Sequence, residues 1–290
     1  MSFVKKLFRE YKSSLKPLPI ESIPDLFLFR PIAFILVKLL YYSPVTPNQV
    51  SVSAIIFGIL SSVNFSKGVP GSFALAGMFC GIAHIMDCAD GMLARIKKNG
   101  TPTGRIVDGL VDYINGIAIF TGLGIGLSKM SVNLPAPIWL VILLAAVSIA
   151  IQCILVDYYS SQFLIHVLGN RKSISREITD FTAELEKLRR QNCCSFQRLL
   201  IRFYLGYSEI QRKYSRKQRK YNPQQYYRMN KYLLLLWSMV GPAGNLVILV
   251  ISSFLFKPEI FLIYAIFIAN GWIVLISLIQ RVVNKQIEVV

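Results

Sequence analysis

The chain has 290 residues, of which 54% are hydrophobic and only 16% charged, against roughly 25% charged in an average soluble domain. With a mean hydropathy of +0.50, a soluble globular fold and a disordered chain are both excluded, leaving an all-α, polytopic membrane protein. Lys and Arg outnumber Asp and Glu by 32 to 15, a net charge of +17. In a membrane protein this reads as cytoplasmic loops beside anionic lipid, not as a nucleic-acid site.

Val4, Leu7, Phe8 and Tyr11 recur at helical spacing, with Lys5, Lys6, Arg9 and Lys12 on the other face. That pattern predicts an amphipathic helix lying on the bilayer, the alternative being a frayed basic tail. No continuous apolar run occupies residues 1–20, so no cleavable signal is expected. The apolar run 31–43 is interrupted by Lys38 and would rise only about 20 Å as a helix, too short to span. It reads as a second juxtamembrane helix.

Thr46 followed by Pro47 is a strong helix start. Six spans are predicted from there, at about 48–66, 71–96, 102–128, 135–157, 231–255 and 259–281, with breaks at Gly68–Gly71, Asn99–Thr103 and Lys257–Pro258. The organisation read from this is 1–45 interfacial, 46–160 catalytic spans one to four, 161–230 a basic helical insertion and 231–290 the last two spans. One set of loops carries only Lys67, Lys129 and Lys257, whereas residues 171–228 on the opposite side hold 15 Lys and Arg. Positive charge therefore places both termini and the long loop in the cytoplasm.

Within that loop, Ile174, Ile178, Phe181, Leu185 and Leu188 predict an amphipathic helix over 173–190. Residues 212–228 interleave basic side chains with Tyr214, Tyr221, Tyr226 and Tyr227, read as a headgroup-binding stripe in preference to a nucleic-acid surface. Five cysteines are present, none at zinc-ligand spacing, and all read as free thiols. Asn245 and Asn270 lie in spans, where hydrogen bonding between helices is the expected role. Asp157, Tyr158 and Tyr159 end the fourth span as interfacial anchors or as acceptor contacts.

Four carboxylates stand out. Asp87, Asp90, Asp108 and Asp112 are the only acidic residues between Asp25 and Asp157. A carboxylate in an apolar span costs several kcal/mol without a partner or metal. Asp87 and Asp90 share one helix face by their spacing of three, and Asp108 and Asp112 share another by their spacing of four. A short break at Asn99-Gly100, restarted by Thr101 and Pro102, makes the two helices antiparallel neighbours, so the pairs can face each other. One or two divalent cations would relieve the repulsion, and all-oxygen ligands favour Mg²⁺ or Mn²⁺. Gly91 and Gly104 leave space for a phosphate or nucleotide, while Arg95, Lys97, Lys98 and Arg105 bring positive charge. A cation transporter could also place carboxylates in its spans, but would leave the glycines and Arg95 unexplained. His84, one turn before Asp87, is read as a hydrogen-bonded packing residue, with approach to the metals as the other possibility.

The eight fixed positions Asp87, Asp90, Gly91, Ala94, Arg95, Gly104, Asp108 and Asp112 resemble the complete signature of the CDP-alcohol phosphotransferases. The resemblance is close over about 45–160, loose over 231–281, and does not account for 171–228. It implies a CDP-alcohol bound at the cytoplasmic face and attack by a second alcohol on its phosphate, with CMP leaving. It implies metal ligation by Asp87, Asp90 and Asp108, and Asp112 as general base that also touches metal. Gly91, Ala94, Arg95 and Gly104 would shape the nucleotide pocket. A homodimer is also implied. Apart from the resemblance, Asn48 reads as a nucleotide contact or as part of the helix start, and Arg105 as an acceptor-phosphate contact or as a solvated helix-end arginine. The favoured reaction uses CDP-diacylglycerol and a polar alcohol such as inositol phosphate. The alternative moves a head group from CDP-ethanolamine or CDP-choline to diacylglycerol or ceramide.

Overall fold

The computed structural model describes residues 3–100, 102–130, 132, 136–168, 172–190, 198, 201–202, 205–206 and 221–288. Among these the protein is built of helices without a strand. Six segments are long and apolar enough to cross a membrane: Pro47–Phe65, Pro70–Lys97, Val107–Lys129, Ile138–Val167, Pro223–Phe254 and Pro258–Lys285. The protein is an integral membrane protein.

The N-terminal layer comprises α1 (Phe3–Ser14), a 3₁₀ turn (Leu18–Ile20), and a π-helical turn (Asp25–Phe29) that runs into α2 (Arg30–Leu40). Part of the apolar face foreseen for α1 is used against protein: Leu7 and Tyr11 pack with Phe34, Val37, Met92 and Leu93, whereas Phe8 stays exposed. The Tyr11 ring meets Phe34 edge-on at 5.2 Å, and its hydroxyl donates to the Leu26 carbonyl at 3.2 Å. A buried ion pair, Arg30 to Glu21 at 3.2 Å, closes the loop between α1 and α2.

Helix α3 (Pro47–Phe65) begins with a capping box: Thr46 Oγ1 accepts from the Gln49 amide, and Gln49 Oε1 accepts from the Thr46 amide at 2.8 Å. It packs along both α4 (Pro70–Lys97) and α5 (Pro102–Lys129). The α3–α5 crossing has almost no room between backbones. A Cβ at Gly122 would lie 2.2 Å from the Ser62 carbonyl oxygen, and one at Gly126 would lie 2.1 Å from that of Phe65. Glycines four residues apart let the helices meet at this distance. Ser62 Oγ then donates to the Ala118 carbonyl at 2.6 Å, and Asn115 Nδ2 to that of Ala54 at 3.3 Å.

The remaining elements are α6 (Ile138–Leu168), α7 (Lys172–Arg190), α8 (Pro223–Ser238), α9 (Pro242–Phe254), α10 (Pro258–Ile263), a π turn (Tyr264–Ile268) and α11 (Ala269–Lys285). Asn245 donates to Gln152 at 3.1 Å, and Gln152 donates to Asn270 at 3.0 Å and to the Ala265 carbonyl at 2.8 Å. This network joins α6, α9 and the last span, as expected for Asn245 and Asn270, because a buried amide in hydrocarbon must find a partner. The foreseen 173–190 helix is α7, with Phe181, Leu185 and Leu188 packed on Ile201.

Three expectations change. The fifth span, expected as one helix over 231–255, starts at Pro223 and is broken at Met239–Gly241, where Pro242 cannot continue the hydrogen-bond ladder. Asn245 Nδ2 covers the carbonyls of Val240 and Gly241 exposed by the break, at 3.0 and 3.2 Å. The fourth span extends past 157 to Leu168. The break between the second and third spans lies where expected: α4 ends at Lys97, Lys98 takes the left-handed conformation at φ 53°, and residues 99–100 are not helical. The tyrosine stripe also divides: Tyr226 is buried and packs with Phe163 and Tyr221, Tyr227 is exposed, and Tyr214 lies outside the described residues.

Candidate active site

Helices α4 and α5 bring Asp87, Asp90 and Asp108 together, each offering a carboxylate oxygen, with all three oxygens within 4.8 Å of one another. Asp90 is buried and accepts a hydrogen bond from Ser51 Oγ on α3. Asp87 Oδ1 is buried with no hydrogen-bond partner. An orphaned carboxylate oxygen in a group of three all-oxygen donors fits a hard divalent cation, which would satisfy that oxygen and balance the clustered charge. Asp112 lies one turn further along α5, exposed and outside the three-oxygen group.

The residues read as nucleotide contacts fall into different settings. The space at Gly91 borders only a flexible group, since a Cβ there would meet the Arg95 guanidinium at 3.5 Å. Ala94 lies against the Gly100 turn, a Cβ at Gly100 meeting its own at 3.7 Å. Asn48 is exposed on the first turn of α3. Gly104 is on the first turns of α5, and the Arg105 side chain lies outside the described residues.

The basic side chains are less free than expected. Arg95 Nε donates to the Ser14 carbonyl at 2.6 Å, tying the end of α1 to α4. Lys97 Nζ donates to the carbonyls of Ser43 and Val45 at 2.9 Å each, capping the turn after α2. Lys97 is therefore a tether, not a free phosphate ligand. Arg95 keeps a buried Nη2 without a partner, as does Arg30 at Nε. A buried guanidinium N–H left open is suited to a phosphate oxygen.

Several contributors were missed by sequence reasoning. Ser51 reaches Asp90 from α3, a long-range contact that spacing cannot reveal. Arg30 and Lys16 precede the signature; the Lys16 ammonium is within electrostatic reach of Asp108, Asp112 and Asp157. His84 Nε2 bonds Asp25 Oδ1 at 2.8 Å, in agreement with a hydrogen-bonded histidine. Burial works against the charge of Asp25, but the hydrogen bond and charge of His84 outweigh it and hold that carboxyl below its ordinary range. A cavity of about 130 Å³ opens between α6, α8 and α11, lined by Tyr158, Tyr159, Tyr221 and Tyr226 with Gln162, His166 and Asn284.

Residues 44–172, which carry the aspartate cluster, match the family CDP-alcohol phosphatidyltransferase. The match spans less than half of the chain and agrees with the resemblance that the signature carries. A relative from Thermococcus kodakarensis, described as "Bifunctional IPC transferase and DIPP synthase", is 32% identical over 120 residues. The alignment covers 41% of this chain and 24% of the relative, so the chain matches about a quarter of that protein's length.

Proposed function

We propose that the protein transfers a substituted phosphate from CDP-diacylglycerol to a polar alcohol, an inositol phosphate-like polyol, with release of CMP. The observation that carries this reading is the cluster of Asp87, Asp90 and Asp108 inside the segment that matches the family. The name of the Thermococcus relative, a transferase and synthase, is in keeping with group transfer and leaves the donor and acceptor open.

Asp87, Asp90 and Asp108 would hold Mg²⁺ or Mn²⁺, in one or two ions. When bound, the ions would neutralise the diphosphate and the departing CMP. Ser51 fixes the Asp90 carboxylate, and the open N–H groups of Arg95 and Arg30 donate to phosphate oxygens. Gly91, Ala94 and Gly104 leave the backbone approachable, with Asn48 and Arg105 at the rim. Asp112 accepts the proton of the acceptor hydroxyl as its oxygen bonds to phosphorus. The bond from that phosphorus to the CMP phosphate oxygen breaks, and CMP leaves with its electron pair.

The cavity between α6, α8 and α11 supports a polar acceptor. Its hydroxyl, amide and imidazole lining offers hydrogen-bond partners to the hydroxyls of a polyol. The charge of the 171–228 loop supports an active site and both termini at the cytoplasmic face, beside anionic lipid. A homodimer completes the reading. The test is CMP release by the purified protein with each pairing of donor and acceptor. CDP-diacylglycerol with a polyol phosphate should be productive. Release only from CDP-choline or CDP-ethanolamine with a lipid alcohol would reverse the roles of donor and acceptor. Divalent-cation flux without CMP release would replace the enzyme by a transporter.

A further inference from the structure

Asp25, His84 and Cys88 form a second group of potential ligands, separate from the aspartates proposed for transfer. Their ligating atoms all lie within 4.8 Å of one another. Asp25 Oδ1 is 2.8 Å from His84 Nε2, and Cys88 Sγ is 3.8 Å from each. Zinc bonds of about 2.0 Å to N and O and about 2.3 Å to S put tetrahedral ligands some 3.3–3.6 Å apart. The three atoms already approximate one face of that tetrahedron.

The placement has a simple origin. His84 and Cys88 are four residues apart on α4 and so share a face. Asp25 opens the π turn before α2 and is held there, its amide donating to Ser22 Oγ at 3.1 Å. The His84 ring is set by Phe29, which meets it edge-on at 4.7 Å. The donor set of one carboxylate, one imidazole and one sulfur differs from the all-oxygen cluster one turn away and selects a softer ion. Bound as thiolate and carboxylate, the two anions would cancel a divalent charge, leaving no net charge beside the apolar spans. Such a site would depart from the reading of all five cysteines as free thiols. The partner residue Asp25 lies 59 positions from His84, beyond any spacing motif.

We propose that Asp25, His84 and Cys88 form a binding site for a borderline-soft divalent cation of the Zn²⁺ class, clipping the N-terminal layer to α4. The site leaves a fourth position for water or an exogenous ligand. A cation there would tether the segment that carries Arg30 and Lys16 to the helix that carries Asp87 and Asp90.

The test is Co²⁺ titration of the full chain in lipid nanodiscs, with Cys193 and Cys194 replaced by serine. One equivalent of Co²⁺ should produce a thiolate charge-transfer band in the near ultraviolet together with tetrahedral visible bands. Zn²⁺ should displace both, and excess Mg²⁺ should not. Cys88→Ser should abolish the thiolate band, and His84→Gln should weaken affinity at least about tenfold, the lower bound for loss of even an outer-shell partner. Asp87→Asn should leave the band unchanged. Absence of the band in the parent protein would overturn the proposal whatever the variants do. So would its survival in Cys88→Ser. In either case Asp25 and His84 make a hydrogen-bonded pair only.

Discussion

Ser51 on α3 donates its hydroxyl to the Asp90 carboxylate on α4, and both side chains are buried. The bond aims one of the three clustered carboxylates from a helix that carries none of the signature. Support of this kind fixes the orientation of a metal ligand. Ser51→Ala should therefore weaken Mn²⁺ binding about 10- to 100-fold while the protein stays folded. Electron paramagnetic titration of free Mn²⁺ measures this, and unchanged affinity would remove Ser51 from the site.

Asp112 lies outside the close group formed by the other three carboxylates, and its side chain is exposed. A proton acceptor needs access to the incoming hydroxyl. Asp112→Asn should lower kcat by about 10²–10⁴-fold, the range for loss of a general base. Binding of the CDP-alcohol should be nearly unchanged. Equal losses in donor affinity and turnover would mark Asp112 as a donor-site residue.

Chelation should stop CMP release, and Mg²⁺ or Mn²⁺ should restore it. Asp87→Asn should prevent restoration, because it removes charge from the carboxylate whose Oδ1 is otherwise unsatisfied. Full activity in excess chelator would show that the three carboxylates serve another purpose.

The glycine contact between α3 and α5 carries a stability prediction. The Cβ of Gly126→Ala would be placed 2.1 Å from the Phe65 carbonyl oxygen, so the helices must separate. A cost of about 1–3 kcal/mol is expected from overpacking, read as a lower unfolding midpoint in detergent. Gly71→Ala should cost far less, since nothing lies within 4 Å of a Cβ there.

Much of this arrangement was legible in the sequence because its signals are local. Thr46-Pro47 specifies a helix start through one residue's neighbours, and the aspartate pairs follow from helical spacing alone. The apolar runs located every span, since hydrocarbon tolerates little else. What escaped depended on distant partners. The break at Met239–Gly241 sits in an apolar stretch where only Pro242 hinted at it, and Asn245 satisfies the exposed carbonyls. Lys97 looked like a phosphate ligand until the carbonyls of Ser43 and Val45 were brought beside it. Tyr226 lay in a basic stripe, yet its ring is buried against Phe163. Gly122 and Gly126 were visible as a four-residue pair, a signal that could have located the α3–α5 contact.

The cavity beside Tyr158 gives a test of acceptor selection. Gln162→Leu removes two hydrogen-bonding groups from its lining and should raise the acceptor KM about tenfold, near the value of one or two hydrogen bonds. The KM for the CDP-alcohol should hold. A change confined to the donor KM would move acceptor binding elsewhere.

The central claim is that a phosphate stays with the lipid alcohol while CMP departs. The most direct measurement labels the phosphorus of CDP-diacylglycerol that adjoins the diacylglycerol and follows it through one turnover. The account predicts all the label in the new lipid, bonded to the acceptor oxygen, with unlabelled CMP released in equal amount. Label in CMP, in inorganic phosphate or in CDP carrying the acceptor would contradict it.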